Sequence, residues 1–212
     1  MGSGEGATAL DPRLVYDPVS DRKVMKRSSN VRSRHNAQMK TLIVTALMAA
    51  TVAAAQTSQV TKPAVAGVTN FAKLDSTIAC GGATTLDGIE ELKKLGYKSI
   101  INLRESSETG ANVEASGAAA RGAGIKYVHI PMNRNTPDPA VADQFLKAIV
   151  DPAGQPVFVH CGSGNRAAAM WMIKRMVVDK WDAQKAGAEA EALGLTNAAM
   201  KQFALDYVAK RK

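Results

Sequence analysis

A chain of 212 residues that is 46% hydrophobic and 22% charged has ordinary globular composition and room for one domain with a sizeable core. Two cysteines, Cys80 and Cys161, and three histidines without ligand spacing, His35, His129 and His160, exclude a disulfide-stapled mini-domain and a zinc site. The net charge of +8 is partly local, because the first 55 residues hold eight of the 27 basic and four of the 19 acidic side chains; the remaining +4 is far from the clustered basic stripe that nucleic acid would require.

In chain order, residues 1–38 are rich in Gly, Ser, Asp and Arg without apolar periodicity. They read as a disordered extension or as translated sequence ahead of the true start, for which Met25 and Met39 both serve. MKTLIVTALMAATVAAAQ, residues 39–56, reads as a secretory signal peptide. Its 15-residue apolar run falls short of the ~20 that a spanning helix needs, and Ala53-Ala54-Ala55 supplies the small-x-small pattern before a cut at Gln56. The expectation is a periplasmic or secreted protein with no stable membrane insertion after cleavage, the alternative being an uncleaved anchor. In an oxidising compartment a bridge between Cys80 and Cys161 is chemically open.

Residues 56–70 read as a linker and 71–212 as the folded domain. Apolar runs at 77–80, 98–103, 126–130 and 157–160 predict short strands. Between them, Leu86, Ile89, Leu92 and Leu95 recur at helical spacing and stop at Gly96; the alanine-rich stretch 112–123 ends at Gly124; and Val141, Phe145 and Ile149 follow Asp138-Pro139, an N-cap and first helical position. Three further helices are predicted at 165–178, 182–193 and 196–209, with Met170, Trp171, Ile173, Met176 and Val177 as core contacts. Strand and helix in alternation imply an α/β fold, a small, mostly parallel sheet of four to five strands flanked by helices.

The chemistry concentrates in VFVHCGSGNRAAA, residues 157–169. If the apolar run is a buried strand and Arg166 opens a helix, then Cys161, Gly162, Ser163, Gly164 and Asn165 form the strand-to-helix turn at the carboxyl end of the sheet, where open α/β sheets bind ligands. The glycines let successive N–H groups converge on one point, and the helix amino-terminus adds its positive end, which makes the turn an anion cradle. At that focus the Cys161 thiolate is stabilised by the same dipoles, and Arg166 can clamp two oxygens of a tetrahedral anion. Nucleophilic catalysis by Cys161 follows, with no metal or organic cofactor required. Ser163 can donate to the anion, and His160 reads either as a thiolate tuner or as a core histidine.

HCGSGNR is similar to the His-Cys-x-x-Gly-x-Arg loop of the bacterial protein-tyrosine-phosphatase-like family that includes the beta-lactamase-hydrolase-like phosphatases. CGGAT at 80–84 resembles that family's Gly-Gly-Gln-Pro-Thr turn, LKKLGYKSIINLRE at 92–105 its strand ending in Asn-Leu-Arg, KYVHIPM at 126–132 its next strand, and AEAEALGL its helical tail. The resemblance implies a cysteine phosphatase fold and hydrolysis of a phosphate monoester, carried on a small molecule or a phosphoprotein, through a cysteinyl phosphate. Three departures are visible. Four residues, not five, separate Cys161 from Arg166, a spacing shared with rhodanese-type sulfurtransferases; Ala167 stands where Ser or Thr often follows the arginine; and the only candidate general acid in IPMNRNTPDP is Asp138, which reads equally well as a helix cap. Arg104 and Glu105 end the second strand near the same sheet edge. A sulfurtransferase carrying a persulfide on Cys161 and a non-catalytic anion-binding module are the alternatives.

Overall fold

The structure is a computed structural model, and it describes residues 60–211. The extension at 1–38, the leader at 39–55 and the cut at Gln56 lie outside the described residues. From Val60 onward the segment expected as a linker is tied to the sheet edge: Thr61 bridges Lys73, Val65 bridges Val68, and Val68 bridges Thr84.

Among the described residues, five strands and six α-helices follow. In chain order they are β1 (Ala72–Lys73), β2 (Ile78–Gly81), α1 (Leu86–Lys94), β3 (Ser99–Asn102), α2 (Val113–Gly122), β4 (Lys126–His129), α3 (Pro139–Ile149), β5 (Val157–His160), α4 (Asn165–Val177), α5 (Ala183–Ala192) and α6 (Ala198–Ala209). The sheet order is β1-β2-β5-β3-β4, with β1 antiparallel to β2 and the other pairs parallel. The α/β class and the mostly parallel sheet agree with the sequence. The two-residue β1 is too short to leave a periodic signal.

Alternation along the strands sorts side chains to two faces. Ala79, Ile100 and Phe158 meet Ile89 and Leu92 of α1 and Ala120 of α2 on one face. Cys80, Ile101, Val157 and Val159 meet α3, α4, α5 and α6 on the other, through residues such as Phe145, Met170, Ala186 and Met200. Phe158 stacks on Phe71 at 5.9 Å and meets Tyr97 edge-on at 6.0 Å. Truncating this fully buried ring would cost about 3–5 kcal/mol.

The helix α4 runs buried through the second layer, so its small Ala167, Ala168 and Ala169 allow close approach to the sheet. Trp171 Nε1 and Arg175 Nε of this helix both donate to Glu189 Oε1 of α5 at 2.6 Å, and the Arg175 guanidinium lies 4.2 Å from the Trp181 ring centroid. Helix starts follow their caps. Thr85, Asp138, Asp182 and Asn197 each accept a backbone N–H of the first turn. No helix of the described residues is long and apolar enough to cross a membrane.

Candidate functional site

Strand β5 lies between β2 and β3, so the turn after it sits at the centre of the sheet's carboxyl edge. Neighbouring strands pin that turn. Cys161 N–H donates to the Gly81 carbonyl at 3.2 Å, Leu103 N–H to the His160 carbonyl at 2.9 Å, and Ala83 N–H to the Gly162 carbonyl at 2.9 Å. Two glycines make the path possible. Gly164 precedes α4 with φ of +100°, and a Cβ on Gly82 would stand 2.4 Å from Thr69 Oγ1 and 2.9 Å from the Gly162 carbonyl oxygen.

Cys161 is 1% exposed, and its Sγ accepts the Gly164 N–H at 3.1 Å, at the positive end of α4. The Arg166 guanidinium belongs to the first turn of the same helix and is also buried. Its Nη1 donates to the carbonyls of Leu103 (3.1 Å) and Met132 (2.7 Å) and to Glu108 Oε1 (2.6 Å), while Nη2 donates to Glu108 Oε2 (2.8 Å). Burial opposes the charge of Arg166, yet the hydrogen bonds to Glu108 and the nearby Cys161 sulfur hold its pKa above the ordinary value. Burial likewise opposes the charge of Glu108, and the hydrogen bonds from Arg166 and from the Glu105 N–H outweigh it, holding that carboxyl below its usual range.

Glu108 leaves no mark in the sequence. It lies in a polar segment with Glu105 and Glu114, and only the sheet order, which brings the end of β3 beside β5, selects it. The available signal was its position four residues after Arg104, in the loop that follows β3. Arg104 is buried, and its Nη1 and Nη2 donate to the carbonyls of Gly110 (2.9 Å) and Thr109 (2.7 Å). Glu105 turns to Asn133, whose Nδ2 donates to its Oε1 at 3.1 Å.

His160 stacks on Phe158 at 5.6 Å and is buried. Burial, with the charges of Arg104 and Arg166 adding, pushes its pKa down to about 4 against backbone hydrogen bonding at Gly82 and Cys161. Its burial and its stacking on Phe158 are those of a core side chain, and a neutral imidazole adds no positive charge beside Cys161 at neutral pH. Ser163 is exposed; its hydroxyl accepts from Asn165 Nδ2 at 3.3 Å, and its carbonyl accepts from Asn70 Nδ2 at 3.1 Å. Asn165 Oδ1 accepts the N–H groups of Thr196 and Asn197, both at 2.7 Å, so its side chain ties the turn to the start of α6 and its backbone N–H is what it can offer an anion.

Asp138 is exposed and accepts the Ala140 N–H at 2.8 Å, capping α3. Its loop begins at Met132, whose carbonyl binds Arg166, and so borders the site. Both cysteines are free, and Cys80 is fully buried in β2, where burial pushes its thiol pKa strongly upward. On the other side of the turn a cavity of about 690 Å³ is lined by Lys62, Val65, Phe71, Ser163, Asn165 and Thr196, among others. Among the described residues, no three or more His, Cys, Asp or Glu side chains gather as a metal site.

Residues 49–206 match the family model described as a DSP-PTPase phosphatase fused to NAD+ kinase. The chain is 32% identical over 123 residues to the beta-lactamase hydrolase-like protein of Xylella fastidiosa, an alignment covering 57% of this chain and 27% of that protein. It is 30% identical over 105 residues to the protein of the same name in Agrobacterium fabrum, covering 48% and 24%. The chain thus spans about a quarter of the length of the curated relatives it matches. Among solved structures it resembles Pseudomonas aeruginosa TpbA in complex with pTyr, with a TM-score of 0.55, 19% identity, and coverage of 72% of this chain and 90% of that one. It also resembles the core catalytic domain of a PP-IP phosphatase of Saccharomyces cerevisiae in complex with citrate, with a TM-score of 0.56, 21% identity, and coverage of 68% and 88%.

Proposed function

Because the chain belongs to the family of DSP-PTPase phosphatases described as fused to NAD+ kinase, we propose that it is a cysteine-dependent phosphatase that hydrolyses a phosphate monoester on Cys161. The observation that carries this reading is the pairing of a buried thiol that accepts the Gly164 N–H with an arginine of the same turn held by both carboxylate oxygens of Glu108 and by the carbonyls of Leu103 and Met132. The thiolate attacks phosphorus as the bond to the leaving oxygen breaks, and that oxygen takes a proton, for which Asp138 is the candidate donor. Backbone N–H groups of Gly162, Ser163, Gly164 and Asn165, together with the free edge of Arg166, stabilise the equatorial oxygens. Water then attacks the cysteinyl phosphate, releasing inorganic phosphate and restoring the thiolate. No metal or organic cofactor enters these steps.

The substrate class is a phosphorylated small molecule or a phosphoprotein; the resemblance to a phosphatase solved with pTyr supports a phosphorylated ligand of this kind. The leader at 39–55 supports a periplasmic or secreted location. A second reading, sulfur transfer through a persulfide on Cys161, is favoured by the four-residue spacing to Arg166 and by Ala167, which is buried and offers no hydroxyl to help the thiolate leave phosphorus.

Offering the full chain a small aryl phosphate, and separately thiosulfate with cyanide, separates the readings. Phosphate release that Cys161→Ser abolishes supports the phosphatase. Thiocyanate formation without phosphate release assigns the sulfurtransferase, and neither activity together with retained phosphate binding assigns an anion-binding module.

A further inference from the structure

Arg104 is 5% exposed, and its charge is not needed for the two carbonyl contacts it makes. Two of its nitrogens hold the carbonyls of Thr109 and Gly110, a task that a neutral amide can share. Its Nε has no hydrogen-bond partner among the described residues and stands 3.5 Å from Glu108 Oε2. Burying a cation with an incompletely satisfied donor is costly, so a buried cation at this position points to an electrostatic task.

That task follows from the charges around Cys161. Arg166 is paired bidentately with Glu108, and such a pair is neutral overall. A neutral pair attracts an anion only weakly, whereas Arg104, ion-paired to the same carboxylate, makes the trio positive by one charge. The field reaches the loop, since the depressed pKa of His160, the residue before Cys161, takes contributions from both arginines. Glu105 does not cancel it locally, because its carboxylate turns to Asn133.

We propose that Arg104 is the specificity-determining charge of the site: acting through Glu108 and without touching the ligand, it offsets the carboxylate that holds Arg166 and so makes the Cys161 loop select a multiply charged tetrahedral oxyanion. Its kinetic consequence rests on the phosphatase reading; its effect on anion binding does not. The distinguishing feature is that charge, not donor geometry, at position 104 sets affinity.

The test measures inorganic phosphate binding to the full chain by calorimetry, thermal melting, and KM and kcat for an aryl phosphate, in Arg104→Lys, Arg104→Gln and Arg104→Gln/Glu108→Gln. Arg104→Gln is expected to weaken phosphate binding and raise KM about tenfold, with kcat within about threefold of the parent. Arg104→Lys retains parental affinity within about threefold, and the double variant regains phosphate binding because one charge of each sign is gone. Equal losses in Arg104→Lys and Arg104→Gln, or unchanged binding in Arg104→Gln, would overturn the proposal. Should Arg104→Gln melt below the assay temperature, the decision passes to Glu108→Gln alone, which must bind phosphate more tightly than the parent; weaker binding there overturns it equally. Phosphate binding that follows the charge in a protein without turnover would sink the phosphatase reading and leave this one standing.

Discussion

Glu108 meets Arg166 with both carboxylate oxygens, at 2.6 and 2.8 Å, although 58 residues separate them in the chain. The carboxylate takes one edge of the guanidinium, and the carbonyls of Leu103 and Met132 fix the plane. Arg166 is thereby held in one orientation by the fold itself.

Glu108→Gln should therefore leave Arg166 charged and in place but loosely aimed. A hydrogen bond to a charged group contributes about 1.5–3 kcal/mol, so kcat for an aryl phosphate is expected to fall about 10- to 100-fold, while inhibition by inorganic phosphate does not weaken. Steady-state kinetics with phosphate as a product inhibitor check both. Unchanged kcat would show that Leu103 and Met132 aim Arg166 unaided.

Cys161 and Cys80 share one core cluster and differ in what surrounds the sulfur. Cys161 accepts an N–H at a helix start beside the partly exposed Gly162 and exposed Ser163, whereas Cys80 lies inside β2 with its thiol pushed far from ionisation by burial. Iodoacetamide at neutral pH should consume one thiol per chain, and peptide mapping should place the label on Cys161. In Cys161→Ser the native protein should take up almost none. Equal slow labelling of both would return the turn to a structural role.

His160 sets an acid limit on stability. Its pKa is about 4 in the folded protein and about 6.5 in an unfolded chain, so the unfolded state binds the extra proton between those values. Stability is thus fully present above pH 6.5 and is lost as pH falls toward 4, by up to about 3 kcal/mol. Glu108, with its depressed carboxyl pKa, is lost in the same direction but only below its ordinary value of 4.5. Urea unfolding of the parent and of His160→Phe between pH 7 and pH 5 isolates the histidine. The parent should weaken across that window and the variant should not; parallel curves would exclude His160 as the cause.

The layered sheet was legible because its strands are short apolar runs, and the turn was legible because Gly162 and Gly164 flank a polar residue between a strand and a helix. Glu108, by contrast, gains its meaning from the β2-β5-β3 neighbourhood, which local periodicity does not encode. Backbone carbonyls such as Met132's carry no residue signature at all. Asn165 shows another limit: its place inside the turn gives no hint that its side-chain amide holds the start of α6. β1 and the strapped segment from Val60 escaped notice because two-residue pairing leaves no pattern to read.

Asp138 caps α3 and is the proposed donor to the leaving oxygen, and two substitutions separate these roles. Its carboxylate caps α3 by accepting the Ala140 N–H, and it stands at the end of the loop that starts at the Arg166-bound Met132 carbonyl. Asparagine caps a helix about as well as aspartate but has no carboxylic proton to give, whereas alanine removes both, at about 1 kcal/mol of stability. Asp138→Asn should therefore melt like the parent yet turn over a phosphate ester with a poor leaving group at least tenfold more slowly. An activated aryl phosphate, whose leaving oxygen departs without protonation, should be much less affected. Asp138→Ala should show the same kinetic loss together with a lower melting temperature. If Asp138→Asn keeps parental rates on both esters, Asp138 is a cap alone, and the proton for the leaving oxygen comes from water or from another side chain of the Asn133 loop's surroundings.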